Sequence, residues 1–238
     1  MKILGLDSSG IVASVAIVED ENLIAEYTVN YKKTHSQTLL PMLDELAKMT
    51  ELDLDSVDAI AVAAGPGSFT GLRIGSATAK GLGLALKKPL AEIPTVDALA
   101  YNLYDAKGLI CPIMDARRNQ VYTGIYRFEE HQLVTVEGQM AVPMTELIRK
   151  LNERGEEVIF LGDGVPVFAQ TIAENLKVPY SFAPAHVNKQ RAAAVAALGE
   201  LYVKEGKTVT AMEHVPEYLR VSQAERERAQ RLKEEGKA

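Results

Sequence analysis

The stretch that decides the fold reads Ala64-Gly65-Pro66-Gly67-Ser68-Phe69-Thr70-Gly71-Leu72-Arg73-Ile74-Gly75. The residues that lead into it, 58–64, are typical of a strand, and no strong helix breaker follows until Pro89. The pattern therefore predicts a strand, a glycine loop and a helix that runs to about Lys87. A glycine loop that opens a helix aims unpaired backbone N–H groups at one spot, which suits an anion.

The spacing of these glycines matches neither of the common phosphate-binding fingerprints. Gly65, Gly67 and Gly71 fit G-x-G-x-x-x-G, one residue too long for the dinucleotide motif, and no Gly-Lys-Ser/Thr follows as a P-loop requires. The loop stays a candidate anion or nucleotide site, with a carboxylate and a hydroxyl at the end of the first predicted strand. Its candidate residues are Asp7, Ser9, Gly65, Gly67, Ser68 and Thr70. A buried, turn-capping role explains Asp7 equally well.

The helix after the loop carries a ridge of small residues. Gly71, Gly75, Ala79 and Gly83 recur every four residues and therefore lie along one side of the helix. Interior glycine costs about 1 kcal/mol relative to alanine, so close packing must offset this cost. The spacing alone favours a tight helix–sheet contact inside one subunit over a helix–helix contact with a partner chain.

The order of predicted elements indicates an α/β protein with two units. Residues 2–7, 11–18 and 23–30 predict three antiparallel strands, and Thr34 with Gln37 resembles a capping box that starts a helix to about Thr50. We assign residues 1–103 to an N-terminal lobe. Residues 104–222 predict a second lobe, with strands at 109–114, 121–128, 133–137 and 158–161 and helices at 145–154, 166–175 and 189–205. The last of these helices is a candidate to pack back on the first lobe, and residues 223–238 form a charged tail.

Composition sets broad limits on function. The chain has 238 residues, of which 47% are hydrophobic and 24% charged, as in ordinary globular proteins. Its net charge of −6 does not favour direct binding of nucleic acid. No apolar run approaches the ~20 residues that span a membrane, and the N-terminus lacks the pattern of a signal peptide, so we expect a cytoplasmic protein without membrane contact. The single cysteine, Cys111, excludes an internal disulfide and predicts an inert buried thiol.

Motifs for catalysis are missing from the sequence. It contains no G-x-S-x-G and no H-E-x-x-H, and its four histidines are far apart along the chain. We therefore predict no metal site and no nucleophile–base pair of the kind a protease needs. The residues by themselves support a two-lobed α/β protein with a candidate anion loop.

Four segments resemble the TsaB (YeaZ) family, and through it the wider group of actin-like ATPases. They are Gly65 to Gly75, Ile3-Leu4-Gly5-Leu6-Asp7-Ser8-Ser9, Met114-Asp115-Ala116-Arg117 and Pro216-Glu217-Tyr218-Leu219-Arg220. The resemblance covers nearly all of residues 1–222. It implies the two-lobed actin-like (ASKHA) fold, in which each lobe is a mixed β-sheet with flanking helices.

The resemblance also implies a role in forming threonylcarbamoyladenosine beside the anticodon of tRNAs that read codons starting with adenine. The catalytic relative, TsaD, holds a metal through an H-x-x-x-H pair after an Ile-Pro and a later aspartate. Here Asp97 and Tyr101 stand at the histidine positions after Ile93-Pro94, so the resemblance implies a non-catalytic paralogue of TsaD. Gln120 stands where family members commonly have a glutamate, which leaves open any charge-dependent role for the turn 115–120.

The implied partners are a TsaD homologue, bound as a heterodimer through helices of the first lobe, and a TsaE homologue. The free protein is expected to be a homodimer and to contact tRNA at most indirectly. It is expected to have no cofactor of its own, with ATP or ADP placed at the junction with the partners. The alternative is an autonomous ATPase or sugar-kinase-like enzyme that uses the glycine loop.

The resemblance shifts the preferred role of the small-residue ridge from internal packing to docking. The predicted interface residues are Leu39, Met42, Leu43, Leu46, Gly71, Leu72, Gly75, Ala79, Leu82 and Gly83. On this prediction, a bulky residue at Gly75 or Ala79 abolishes the complex and leaves the isolated fold largely intact.

Overall fold

The computed structural model describes residues 1–31 and 34–220 of the chain. They form two lobes, each built on a five-stranded mixed β-sheet. The strands of lobe 1 lie in the order β3-β2-β1-β4-β5, and those of lobe 2 in the order β10-β9-β6-β7-β8. The predicted α/β class is therefore confirmed, with helices flanking both sheets.

Lobe 1 begins with an antiparallel meander that continues into parallel strands. Leu4 pairs with Ile17 across β1 and β2, and with Ile60 across β1 and β4. The three predicted N-terminal antiparallel strands are thus confirmed. The strands are β1 (Lys2–Asp7), β2 (Ala13–Glu19), β3 (Asn22–Val29), β4 (Ala59–Gly65) and β5 (Leu90–Pro94).

Helices cover both faces of the lobe 1 sheet. Side chains alternate along a strand, so Leu4 and Leu6 pack toward α1 (His35–Met49), while Ile3 packs toward α6 (Ala192–Lys204). The helix α2 (Phe69–Leu86) lies beside α1, and the short α3 (Thr95–Tyr101) packs beside α6. In the sequence α6 follows all the strands of lobe 2, but it packs on the sheet of lobe 1. The chain therefore returns to lobe 1 after lobe 2 is complete. A 3₁₀ turn at Leu54–Ser56 joins α1 to β4.

Lobe 2 repeats the combination of a meander and parallel strands. Its core cluster includes Cys111, Phe160 and Leu147, which are all 0% exposed. Its strands are β6 (Leu109–Asp115), β7 (Gln120–Glu129), β8 (Gln132–Pro143), β9 (Val158–Leu161) and β10 (Tyr180–Phe182), and its helices are α4 (Met144–Arg154) and α5 (Val165–Asn175).

After α6 the chain crosses lobe 1 as an irregular segment, residues 209–220, which has a turn at 211–213 and which we call the strap. Leu90 and Val209 exchange two backbone hydrogen bonds of 2.9 Å, so the strap starts along the edge of β5. Near its end, Arg220 Nη1 donates to the carbonyl of Ala116 in lobe 2 at 2.7 Å. The strap therefore ties the two lobes together.

Some local predictions were wrong. Thr34 is the N-cap of α1, but its side chain accepts no capping hydrogen bond. Thr145 lies inside α4, which has Pro143 as its N-cap. The elements β5, α3 and β10 were not predicted. The charged tail at 223–238 lies outside the described residues. Among residues 1–31 and 34–220, no helix is long and apolar enough to cross a bilayer.

Candidate docking face and interlobe cleft

The glycine loop between β4 and α2 is filled by the protein's own backbone. The amide of Ser68 donates to the carbonyl of Ser9 at 2.7 Å, and a Cβ atom added to Gly67 would collide with that carbonyl oxygen. Gly65, at φ 132°, lies against the carbonyl oxygen of Glu217 in the strap. The glycines are therefore explained by close contacts within the chain rather than by an open phosphate cradle. Anion binding at this loop stays a prediction.

Ser68 caps α2, because its hydroxyl accepts a hydrogen bond from the amide of Gly71 at 3.3 Å. This capping uses another of the N–H groups that a bound anion would need. The neighbouring Thr70 is exposed on the first turn of the helix.

Asp7 is a buried carboxylate at the end of β1. Its Oδ1 accepts hydrogen bonds from the backbone amide of Ser9 at 2.9 Å and from the Ser9 hydroxyl at 2.7 Å. Its Oδ2 is buried without a hydrogen bond to any described residue. Burial raises the pKa of Asp7 to about 6, against the opposing effect of the two hydrogen bonds from Ser9. The short loop from Asp7 to Ser9 is thus a side-chain-capped turn.

A cleft of about 410 Å³ lies between the lobes. Ser9 and Ser68 line its lobe 1 wall, and Asp115, Arg117 and Asp163 line its lobe 2 wall. Arg117 Nη1 is paired with Asp115 Oδ2 at 3.1 Å, and the pKa of Asp163 is raised by burial. With two carboxylates against one guanidinium that already has a partner, the cleft is poorly suited to a free phosphate group.

The small-residue ridge of α2 packs against the sheet of lobe 1. Ala79 is 0% exposed, and Gly71, Gly75 and Gly83 are buried. A Cβ atom added to Gly75 would lie 2.6 Å from Ser8 Oγ, and one added to Gly71 would collide with the Ser8 carbonyl oxygen. The prediction that this ridge is the docking face is therefore wrong, because lobe 1 already covers it.

The other predicted interface residues also lie in the core of lobe 1. The four of α1 belong to one hydrophobic cluster with residues of β1, β2 and β4 and are at most 4% exposed: Leu39, Met42, Leu43 and Leu46. Leu82 of α2 is partly buried against this cluster, and Leu72 of α2 is 2% exposed. A bulky residue at Gly75 or Ala79 would disrupt this packing directly. We therefore expect such a variant to lose stability, in contrast to the sequence-based expectation that its fold stays largely intact.

The opposite face of α2 is open to solvent. Ala77 and Gly81 are exposed four residues apart, and Leu84 is 53% exposed on the next turn. A Cβ atom added to Gly81 would have no atom within 4 Å. On the neighbouring α1, Leu40 is 52% exposed. We call these four residues the outward face.

The sequence contained one signal for this face. Gly81 lies off the four-residue ridge, and a helical glycine without a close neighbour is a cost of about 1 kcal/mol that no internal contact explains. The exposed leucines carried no such signal, because both belong to continuous apolar runs.

The structure also brings together a serine, a histidine and a glutamate that are far apart in the sequence. Ser76 Oγ is hydrogen-bonded to His214 Nε2, and His214 Nδ1 lies 2.6 Å from Glu92 Oε1. The sequence did not predict this contact between Ser76 and His214. However, Ser76 is 5% exposed and His214 1%, with the strap lying over α2, so no substrate can reach the serine hydroxyl.

Asp97 and Tyr101 line a cleft of about 690 Å³ between α6 and β8. Asp97 Oδ1 accepts a hydrogen bond of 2.7 Å from the Tyr126 hydroxyl, and burial raises the Asp97 pKa. Within residues 1–31 and 34–220, no three histidine, cysteine, aspartate or glutamate side chains are grouped as metal ligands would be.

The chain is similar along most of its length to proteins of tRNA modification. Residues 22–228 match the family model described as TsaD: tRNA N6-adenosine threonylcarbamoyltransferase. The tRNA threonylcarbamoyladenosine biosynthesis protein TsaB of Bacillus subtilis (strain 168) is 35% identical over 225 residues, which are 94% of this chain and 96% of that protein.

Two solved structures share the fold. YeaZ from Pseudomonas aeruginosa superposes with a TM-score of 0.75 and 25% identity, over 92% of this chain and 99% of that chain. The inorganic polyphosphate/ATP-glucomannokinase from Arthrobacter sp. strain KM superposes with a TM-score of 0.51 and 16% identity, over 85% of this chain and 99% of that chain. The second similarity shows the fold alone, which is the two-lobed fold of actin-like ATPases and sugar kinases.

Proposed function

Because this chain belongs to the TsaB (YeaZ) family of tRNA threonylcarbamoyladenosine biosynthesis proteins, we propose that it is a non-catalytic subunit that binds and activates a TsaD homologue. The complex, together with a TsaE homologue, threonylcarbamoylates the adenosine next to the anticodon of tRNAs that read codons starting with adenine. The protein acts in the cytoplasm, where it meets these partners.

The observation that carries this proposal is the outward face of α2. A glycine in the middle of an exposed helix lowers the stability of the free chain, and Gly81 has open space around its Cα. A missing side chain lets another backbone approach closely, so the cost is offset when a second helix packs there. Ala77 extends the small surface by one turn, and Leu84 and Leu40 supply apolar area beside it.

The match to the TsaD family model supports an arrangement in which helices of the two proteins pack against each other. The TsaD family model matches 22–228 of this chain, so the TsaD homologue is expected to carry its own copies of α1 and α2. Two such helix pairs can face each other across an approximate two-fold axis. The same face would bring two copies of this chain together when the TsaD homologue is absent.

The site observations favour a scaffold over the alternative of an autonomous ATPase or sugar-kinase-like enzyme. The fold is shared with a glucomannokinase, but a shared fold does not imply a shared activity. The amide of Ser68 is already bonded to Ser9, and the interlobe cleft presents Asp115 and Asp163. We therefore place ATP or ADP at the junction with the partners. The net charge of −6 supports a contact with tRNA that is at most indirect.

Reconstitution of the tRNA modification with the organism's own TsaD and TsaE homologues tests the proposal. We expect modified tRNA when this chain is present and a large loss when it is omitted. Equal modification without the chain would contradict the proposal. Calorimetry of the isolated chain with ATP and magnesium tests the alternative, because tight binding with turnover would support an enzyme.

A further inference from the structure

The strap runs alongside α2 and is fixed to it at several points. Lys80 Nζ donates to the carbonyl of His214 at 2.8 Å, and at the start of the helix the rings of Phe69 and Tyr218 lie 4.7 Å apart. At the far end, Ala211 lies against Gly83. The strap therefore follows the helix in the antiparallel direction, along the side formed by Phe69, Arg73, Ser76, Lys80 and Gly83.

The middle of the strap turns one side chain inward and two apolar side chains outward. His214 is 1% exposed, while Met212 is 74% exposed and Val215 66%. Neither Met212 nor Val215 belongs to a hydrophobic core cluster of the described residues, so both side chains are available for an external contact.

The Glu92–His214–Ser76 chain of hydrogen bonds explains why this conformation is fixed. The imidazole is held from both sides, and Glu92 Oε1 also accepts a bond of 3.3 Å from the amide of Val215. Ser76 and His214 are buried and Glu92 is half-buried, and their hydrogen bonds join the strap to α2 and to β5. We assign these three side chains the role of holding the strap in place. This fixed backbone orders Met212 and Val215 before any partner arrives, which lowers the entropic cost of binding them.

Met212 is continuous with the outward face. Met212 and Leu84 line one shallow hollow of about 320 Å³, and Lys87 and Lys88 lie at its rim. We propose that Met212 and Val215 form a second part of the docking surface for the TsaD homologue. The inference rests on the proposed function. The partner segment that fits places an apolar side chain between Met212 and Leu84, with a carboxylate near the two lysines.

The surface that α1 and α2 present is smaller than a stable interface usually buries, which supports a docking surface that extends onto the strap. The helices have 15 and 18 residues, so they are about 22 and 27 Å long and, at about 10 Å in width, present roughly 500 Å². A stable interface usually buries about 800 Å² on each partner. The strap adds surface on the open side of α2 and brings the total closer to that value.

The test compares three variants for affinity to the organism's own TsaD homologue, by calorimetry with the full-length chain. The first is the double variant Met212→Ser, Val215→Ser, which should raise the Kd by about tenfold or more. The second is Gly81→Arg, which tests the outward face alone. The third is Ile24→Ser on β3, a matched control because Ile24 is 42% exposed and far from α2.

The outcomes separate the two proposals. Weak binding of the double variant, with normal binding of the control, supports the strap as part of the interface. If the double variant binds as the wild type does while Gly81→Arg does not bind, the strap inference is wrong and the docking face stands. If neither variant loses affinity, docking through α2 is wrong as well. An equal loss in the Ile24→Ser control would overturn the assignment to the strap.

Met212 and Val215 are exposed, so the melting temperature of the double variant should stay within about 2 °C of the wild type.

Discussion

Two glycine-to-alanine substitutions in α2 should change stability in opposite directions. Gly81 and Gly71 lie in the same helix, and alanine has the higher helix propensity at both. At Gly81 the new methyl group meets no atom within 4 Å. At Gly71 it would collide with the carbonyl oxygen of Ser8, whose hydroxyl also donates to the carbonyl of Gly71 at 2.9 Å.

The expected magnitudes follow from these surroundings. Gly81→Ala should raise the free energy of unfolding by about 1 kcal/mol, since only the helix propensity changes. Gly71→Ala gains the same term but must displace the Ser8 backbone in a packed region, and overpacking against backbone costs about 2–3 kcal/mol, the upper part of the usual range. We expect a net loss of about 1–2 kcal/mol at Gly71 and therefore a difference of about 2–3 kcal/mol between the variants.

Thermal and urea unfolding of the purified variants measure this difference. In a chain of this length, 1 kcal/mol corresponds to a shift of about 2–4 °C in Tm. Gly81→Ala should melt above the wild type and Gly71→Ala below it, each with the m-value unchanged. The reasoning is refuted if Gly81→Ala lowers the stability, or if Gly71→Ala leaves it unchanged, because the two faces of α2 would then be wrongly assigned.

Three further results are expected. The pKa of the Asp7 carboxyl is raised from 3.8 to about 6 in the folded protein, so ionisation of Asp7 lowers the free energy of unfolding as the pH rises through that interval. Urea titrations should therefore show that Asp7→Asn stabilises the protein by up to about 3 kcal/mol at pH 7 and has no such effect near pH 4. Cys111 is buried and its thiol pKa is raised to about 12, so a thiol reagent should label it only after unfolding; rapid labelling of the native protein would contradict its position in lobe 2. Glu92→Ala removes the acceptor for His214 and the Val215 amide; it should cost about 1–2 kcal/mol and weaken binding of the TsaD homologue, whereas full affinity would show that the strap needs no such anchor.

The sequence predicted the elements whose pattern is local. Period-two alternation located β3, short runs of strand-like residues located β1 and β2, and the glycines before α2 located the strand–loop–helix unit. The spacing of Gly71, Gly75 and Ala79 correctly indicated close packing, but periodicity identifies a face of a helix and does not identify what covers it. The sheet of lobe 1 covers this one.

Contacts between distant parts of the chain could not be predicted in this way. Ser76 and His214 are separated by 138 residues, and their hydrogen bond depends on the strap returning across lobe 1. The role of Gly65 likewise depends on Glu217, which lies beyond all of lobe 2 in the sequence. The glycine pattern therefore resembled an anion loop, although the chain's own carbonyl groups fill it.

The most direct test of the docking account is the affinity of Gly81→Arg for the TsaD homologue, with Gly81→Ala as its control. Arginine is a good helix former at this exposed position, so the isolated variant should be at least as stable as the wild type. Its long charged side chain should block the approach of a second helix. We predict that Gly81→Arg lowers the affinity by about 100-fold or more while Gly81→Ala binds within a few-fold of the wild type. Wild-type affinity of Gly81→Arg would contradict docking through the outward face.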